Sequence, residues 1–211
     1  MINRPGTLLL FIVFAVTACH RTPVTDTEEV HHAVHAYNAR LGELQSAYRD
    51  ALQGLANPPV LTTSTITSQA DLKSREDRVS QYISASQQLL DFEKNSEATF
   101  RQALTDQKLS PADIDANMAE FKRTTQDIHP AVTAVYEADV TEGNGMLKVL
   151  TLLDSNWGHW KFTPATSQLQ FQTQKMTAEY VQAVKDMNAA SDTSVQLKAR
   201  LKAVSAKSNP N

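Results

Sequence analysis

The strongest constraint on the fold is an apolar stripe that runs through residues 30–55 without interruption. Its members recur at alternating steps of four and three residues, which places them on one face of an α-helix: Val30, Val34, Tyr37, Leu41, Leu44, Tyr48, Ala51 and Leu55. A stripe held over several heptads indicates a long helix that packs lengthwise against other helices. Asp26, three residues before Glu29, predicts the start of this helix, and Asn57-Pro58-Pro59 predicts its end.

The rest of the chain is also predicted to be mainly helical, because the 211 residues contain only six glycines. A second helix is predicted over about 68–107, after a loop rich in Thr and Ser at 60–67. Ser110-Pro111 predicts the start of a third helix. Its apolar phase continues across Pro130, and we interpret this proline as a kink within one helix.

Gly143-Asn144-Gly145 predicts a weak point or a break, after which helix continues to about Asp154. Two further helices are predicted at about 173–190 and 193–206. The predicted fold class is therefore all-α, an elongated bundle of long antiparallel helices.

A short aromatic region near the C-terminal third interrupts the helical pattern. Trp160 with Phe162, and Leu169 with Phe171, each place two large apolar side chains on one face of a strand, and a turn containing Pro164 separates the two pairs. The region predicts one small β-hairpin insert. Because an isolated hairpin is marginally stable in water, it should lie against the helices.

The first eighteen residues have the pattern of an export signal. Arg4 gives a positive start, and an apolar run from Leu8 to Val16 follows. A run of this length is too short to span a bilayer, which takes about 20 apolar residues. Residues 1–18 are therefore predicted to be a signal peptide.

Val16-Thr17-Ala18-Cys19 resembles the lipobox of bacterial lipoprotein precursors, in which an aliphatic and two small residues precede a cysteine. The resemblance implies cleavage before Cys19, a lipid on its thiol and an acylated new amino terminus. Several acyl chains anchor a protein stably where one does not. His20, in place of Asp, implies sorting to the outer membrane, facing the periplasm. An ordinary secretory signal followed by an incidental cysteine is the alternative.

These features predict four segments: a lipoprotein signal peptide at 1–18, a tether at 19–25, a single helical domain at 26–206 and a loose tail at 207–211. Cys19 is the only cysteine, so the domain has no disulfide. The chain has 20 basic and 23 acidic residues and no basic stripe, and no nucleic-acid partner is expected.

The chain after the signal also resembles a family of uncharacterised helical lipoproteins of the Gram-negative envelope, a domain of unknown function. The matching features are Cys19, Ile128-His129-Pro130-Ala131, Gln170-Phe171 and Tyr180. The resemblance implies a lipid-anchored helical body with a short β-type insert, and it brings no activity with it.

Histidines near the amino terminus form one candidate site. His31 and His35 lie four residues apart, which on a helix brings both rings to one face, with His32 beside them. A protein zinc site takes three or four ligands, and the His-Glu-x-x-His order is absent from the sequence. We therefore favour solvated histidines and assign no metal ligand.

Trp157, His159 and Trp160 form a second candidate, a surface for a protein partner. The alternative is that these residues cover the end of the bundle as part of its core. The charged run from Lys73 to Arg78 is predicted to be a solvated helix face.

Three tyrosines on the predicted first and second helices are expected to pack with their hydroxyls in water: Tyr37, Tyr48 and Tyr82. The sequence has no nucleophile elbow, phosphate loop or dinucleotide fingerprint, and no enzyme activity is predicted.

The predicted function is a non-catalytic interaction module, anchored by lipid and bound to an envelope or periplasmic protein, with no cofactor. An immunity or inhibitor lipoprotein is one version. A metal-binding envelope protein that uses the N-terminal histidines is an alternative, and an enzyme on envelope polymers with carboxylates assembled by folding is another.

Overall fold

A computed structural model describes residues 27–166 and 168–208. The predicted signal peptide, tether and Cys19 lie outside the described residues. In chain order the elements are α1 (Glu28–Ala56), a short 3-10 helix (Thr63–Thr65), α2 (Gln69–Lys94), α3 (Ser96–Asp106), α4 (Pro111–Thr125), α5 (His129–Ser155), β1 (Trp160–Thr163), β2 (Gln168–Phe171) and α6 (Gln174–Ser208). The prediction of a helical bundle with one small hairpin is confirmed.

Helix α1 forms as its apolar stripe predicts, because every member of the stripe is buried or half-buried. Asp26 lies outside the described residues, and the N-cap is Thr27, whose hydroxyl accepts a hydrogen bond from the Val30 N–H at 3.4 Å. Glu28 and Glu29 add negative charge to the first turn, where the helix dipole stabilises it.

The predicted single helix over 68–107 is wrong, because the chain breaks at Asn95 into α2 and α3. Asn95 has φ −106° and ψ 10°, outside the helical region, and its side-chain amide donates to the Asp91 carbonyl at 2.8 Å. An Asn side chain that bonds to the backbone competes with helix continuation. Neither proline nor glycine marks this break.

The predicted kink at Pro130 is also wrong, because α4 and α5 are separate helices joined by a turn over 126–128. Pro130 lies in the first turn of α5, where the backbone N–H groups make no hydrogen bond within the helix, so the missing N–H of proline costs nothing. The apolar spacing continues across Pro130 because both helices pack against the same core. Met118 of α4 and Val132 of α5 both belong to this core.

The predicted break at 143–145 does not occur, because α5 continues through both glycines. A Cβ atom at Gly143 would lie 2.6 Å from Ile83 Cγ1 of α2, and one at Gly145 would lie 3.1 Å from the Met187 Cα of α6. The glycines therefore let α5 approach α2 on one side and α6 on the other.

The two predicted C-terminal helices are one helix, α6, which extends to Ser208. Buried residues on both sides of the predicted break, Met187 and Ser194, hold α6 against α5. The Thr193 hydroxyl donates to the Ala189 carbonyl at 2.9 Å, so this polar side chain is satisfied without ending the helix.

Two main apolar clusters fill the bundle. The first, here called the aromatic end, joins the first half of α1 to α3, α4 and the last turns of α6 through a core that includes Tyr37, Phe92, Phe100, Phe121 and Leu201. The second, called the hairpin end, joins the last turns of α1 to the hairpin through Leu55, Leu153, Trp160, Leu169 and Phe171. The two clusters lie toward opposite ends of α1.

The charged run 73–78 is only partly solvated, because Arg75 is 1% exposed. Its guanidinium donates to the carbonyls of Pro59, Val60 and Thr62 at 3.4, 3.2 and 3.0 Å, and it pairs with Asp71 at 3.0 Å. A buried arginine thus holds the predicted loop against α2.

Among the described residues, no helix has the length and apolarity needed to cross a membrane.

Candidate functional sites

The hairpin presents an aromatic pair at the surface. Trp160 is half-buried among the apolar residues of the hairpin end, and its Nε1 donates to the Leu153 carbonyl at 2.8 Å. Trp157 is 37% exposed and lies edge-on against Trp160, with ring centroids 5.4 Å apart and planes at 83°. One tryptophan therefore packs against the other at the surface, and the alternative that all three residues belong to the core is wrong for Trp157: Trp160 packs with the core and Trp157 does not.

His159 lies between the two tryptophans in the chain and belongs to the polar face of the hairpin. Its Nδ1 lies 2.8 Å from Gln172 Oε1, and its carbonyl accepts the Gln172 N–H at 3.0 Å. Lys161, Gln168 and Gln170 are exposed on the same outward face, while the apolar residues of both strands turn toward the bundle. Of the three predicted residues, the structure therefore brings Trp157 and Trp160 into contact, and His159 bonds to Gln172 instead.

The aromatic pair lies far from the start of α1. A helix rises about 1.5 Å per residue, so the 29 residues of α1 span about 43 Å. Trp160 packs in the same cluster as Leu55, one residue before the end of α1. The N-terminal segment enters the bundle at Thr27, at the other end of the helix.

A buried carboxylate forms a second site, which the sequence analysis missed. Asp139 of α5 is 0% exposed and receives hydrogen bonds from Tyr48 of α1 at 2.7 Å and Ser194 of α6 at 2.8 Å. Lys198 Nζ of α6 lies 2.7 Å from Asp139 Oδ1. Both carboxylate oxygens are therefore occupied by groups from other helices.

Burial raises the pKa values of the tyrosines around this carboxylate, and the Asp139 charge raises them further: Tyr48, Tyr82 and Tyr136. The Tyr48 hydroxyl, protonated at neutral pH like an ordinary phenol, donates to Asp139. The prediction that the Tyr48 and Tyr82 hydroxyls face water is wrong. A signal was available, since Asp139 interrupts an apolar stripe that includes Val132, Val135 and Tyr136.

Ser96, His129 and Glu93 form a third cluster, where the α2–α3 break meets the start of α5. His129 Nε2 lies 3.0 Å from Ser96 Oγ, 2.6 Å from the Glu93 carbonyl oxygen and 3.1 Å from Glu93 Oε2. The hydrogen bond with the Glu93 side chain raises the pKa of His129.

This third cluster differs from a serine-type catalytic triad in one decisive respect. A triad uses Nε2 of the histidine for the serine and Nδ1 for the acid. Here the serine and the acid both meet Nε2, and Ser96 is 1% exposed. The hydrogen bonds join the break between α2 and α3 to the start of α5. The Glu93 carboxylate also stabilises the protonated form of His129.

The N-terminal histidines lie apart from these sites. His31, His32 and His35 are all exposed on α1, and His32 Nε2 is 3.8 Å from Glu28 Oε1. Among the described residues, no group of three or more His, Cys, Asp or Glu side chains is arranged to hold a metal ion.

An apolar pocket between the 60–67 loop, α5 and α6 is lined by residues that include Leu61, Ile66, Val149 and Met187. Its volume is about 10 Å³. A single buried water takes about 10–15 Å³, so this pocket fits one water at most.

Comparisons of the chain with protein-family models, with curated proteins and with solved structures found no match. The resemblances to a lipoprotein signal and to a family of helical envelope lipoproteins therefore remain predictions.

Proposed function

We propose that this chain is a lipid-anchored protein of the bacterial envelope whose helical bundle presents the hairpin to a protein partner. The lipid is attached at Cys19, and His20 directs the protein to the outer membrane, facing the periplasm. The bundle acts as a non-catalytic spacer, and the surface formed by Trp157, His159 and Trp160 binds the partner.

One observation carries the proposal: the exposed Trp157 packs edge-on against Trp160 at the end of the bundle opposite Thr27. Binding surfaces concentrate their energy in a few large aromatic residues, and a residue that is already fixed loses little entropy on binding. A chain anchored at Cys19 enters the bundle at Thr27, so α1 carries this surface about 43 Å away from that point.

The polar clusters support a structural rather than a catalytic role. Asp139 is paired on both oxygens, and the Ser96 hydroxyl is buried against His129. Each of these side chains joins helices. An immunity or inhibitor lipoprotein is the form of this proposal in which the partner is a toxin or enzyme of the periplasm.

Mass spectrometry of the protein purified from a Gram-negative host tests the anchor. We expect residues 1–18 to be absent and Cys19 to carry a diacylglyceryl group and an N-terminal acyl chain. The Cys19→Ser variant should lose the lipid and leave the membrane fraction. Recovery of the uncleaved, unacylated precursor would refute this half of the proposal.

Site-specific photocrosslinking in cells tests the partner surface. A photoreactive residue at position 157 should form one discrete protein adduct, and the matched control at Val195 should not. Val195 is a suitable control because it is an exposed apolar residue, at 57%, on the outer face of α6. Equal crosslinking at both positions, or none at 157, would contradict the proposed surface.

A further inference from the structure

Strand β1 has a free hydrogen-bonding edge. The Gln172 N–H bonds to the His159 carbonyl, and the register pairs Trp160 with Phe171 and Lys161 with Gln170. Opposed residues of an antiparallel pair alternate between those that exchange hydrogen bonds and those that do not. Lys161 and Gln170 are therefore a bonded pair, and the backbone groups of Trp160 and Phe162 point away from β2.

This edge is unpaired within the described residues. The sheet has two strands, and the backbone hydrogen bonds outside the strands do not involve Trp160 or Phe162. Strand β2 is the strand that lies along α6. Two N–H and two C=O groups thus face outward beside the fixed Trp157–Trp160 pair, and an extended peptide can add to such an edge as a third strand.

After the proposed cleavage before Cys19, the N-terminal segment that remains is too short to reach this edge. Residues 20–27 span at most about 28 Å when fully extended, and α1 separates their attachment point from the hairpin by about 43 Å. The C-terminal end of α6 is equally remote, because Leu201 belongs to the aromatic end.

A second copy of the chain fits the edge poorly. Antiparallel pairing of two β1 edges through Trp160 and Phe162 places Lys161 of one copy directly opposite Lys161 of the other. Like charges that face each other across strands destabilise the pair. The same position favours a different chain that carries an acidic side chain there.

We infer that β1 binds an extended segment of another protein by strand addition. The segment carries an acidic residue opposite Lys161, flanked by apolar residues on the side of Trp160 and Phe162. This inference rests on the proposed function, since it names the recognition mode of the same hairpin surface.

The variant Phe162→Pro distinguishes binding by strand addition from other modes of binding. The Phe162 N–H points away from β2, so Phe162→Pro removes a donor from the free edge and leaves the hairpin ladder intact. Phe162→Ala removes the same ring and keeps the N–H. The ratio of the two affinities therefore reports the loss of the backbone donor together with the stiffer proline backbone.

The probe is a library of random peptides, selected in mild detergent against the protein as it is purified from cells, whether or not Cys19 carries lipid. We expect the enriched peptides to be extended, with an acidic residue between apolar ones. They should bind Phe162→Pro about tenfold more weakly than Phe162→Ala, which is the fold-change expected for one strong hydrogen bond. Selection against Lys161→Glu should enrich a basic residue at the acidic position.

Amide hydrogen exchange of the unmutated protein gives a readout that does not depend on folding of the proline variant. The amides of Trp160 and Phe162 should be slowed by a bound peptide. Failure to enrich any peptide, equal binding by both Phe162 variants, or unchanged exchange at both amides would overturn the inference. A dimer of the chain that only Phe162→Pro abolishes would overturn it in favour of a second copy.

The two proposals fail in distinguishable ways. An unacylated Cys19 refutes the anchor and leaves the peptide measurements untouched. A crosslink at position 157 together with equal peptide binding by both Phe162 variants keeps the partner surface and removes strand addition.

Discussion

The two ends of the bundle are stabilised in different ways. At the aromatic end, Phe100 stacks on Phe121 with centroids 4.7 Å apart, and Tyr37 lies edge-on to both rings. At the hairpin end, irregular backbone is held by directed hydrogen bonds from Arg75 and Trp160. Helices can meet through apolar packing alone, whereas loops and hairpins carry free backbone groups that need partners.

This difference indicates which kinds of substitution each end of the bundle tolerates. Apolar packing depends on volume, so the aromatic end should respond to the size of a side chain. Hydrogen bonds depend on donors and acceptors, so the hairpin end should respond to chemistry at constant size. The following variants test this contrast, beginning with the one expected to have the largest effect.

Phe100→Ala should destabilise the protein by about 4 kcal/mol, because it removes a buried ring and leaves a cavity between Tyr37 and Phe121. The same substitution at the half-buried Phe162 of the hairpin should cost about 1 kcal/mol. Urea unfolding followed by circular dichroism measures both. Equal losses would contradict the view that the aromatic end depends on ring packing.

Arg75→Met should cost about 3 kcal/mol, because the aliphatic stem is kept while the buried Val60 carbonyl and the part-buried carbonyls of Pro59 and Thr62 lose their donor. Arg78→Met is the matched control. Arg78 donates to the carbonyls of Gly54 and Pro58 and is only half-buried, so its loss should cost about 1 kcal/mol.

Limited proteolysis adds a local readout to the Arg75 variant. Cleavage within 57–67 should appear in Arg75→Met under native conditions, with no new site at the aromatic end. Cleavage spread evenly over the chain would instead show that both ends depend on this arginine.

Trp160→Phe should cost about 1 kcal/mol, since it removes the Nε1 bond to the Leu153 carbonyl and keeps an aromatic ring. Trp157→Phe, at an exposed ring, should stay within about 0.5 kcal/mol of the parent protein. Thermal unfolding of the two variants compares them directly. A larger loss of stability in Trp157→Phe than in Trp160→Phe would contradict the assignment of Trp160 to the core and of Trp157 to the surface.

The smallest expected effect is a pH dependence at the aromatic end. The hydrogen bond with the Glu93 side chain raises the pKa of His129 above the ordinary histidine value of 6.5, so the imidazolium is favoured in the folded state. The resulting stabilisation is complete below pH 6.5 and is lost as the pH rises through the folded-state pKa. The melting temperature should therefore fall over this window in the parent protein, and fall less in Glu93→Gln. Equal pH dependence of the melting temperature in the two proteins would show that the Glu93–His129 pair does not cause it.

Most of the architecture could be predicted from the sequence, because long apolar stripes report which helix faces are buried. The stripe of α1 predicted its helix and its buried face, and the alternation around Trp160 and Leu169 predicted the hairpin. The errors concern where helices end. Asn95 ends α2 without a proline or glycine, and the glycines at 143 and 145 serve close packing.

The sites were harder to predict because their partners are far apart in the chain. Tyr48 and Asp139 are separated by 91 residues, and Ser194 by a further 55. Arg75 looked like part of a solvated charged face, since nothing local indicates that the 59–62 carbonyls surround it. Trp157, His159 and Trp160 could be grouped from sequence because they are neighbours in the chain.

The close approach at Gly143 has a consequence for how sequences of this fold can diverge. A side chain at position 143 has no room while isoleucine occupies position 83, since even a Cβ atom would fall 2.6 Å from Ile83 Cγ1. The two positions should therefore change together: a diverged sequence with alanine at 143 should carry a smaller residue at 83. In the present chain, Gly143→Ala combined with Ile83→Ala should recover stability that Gly143→Ala alone loses.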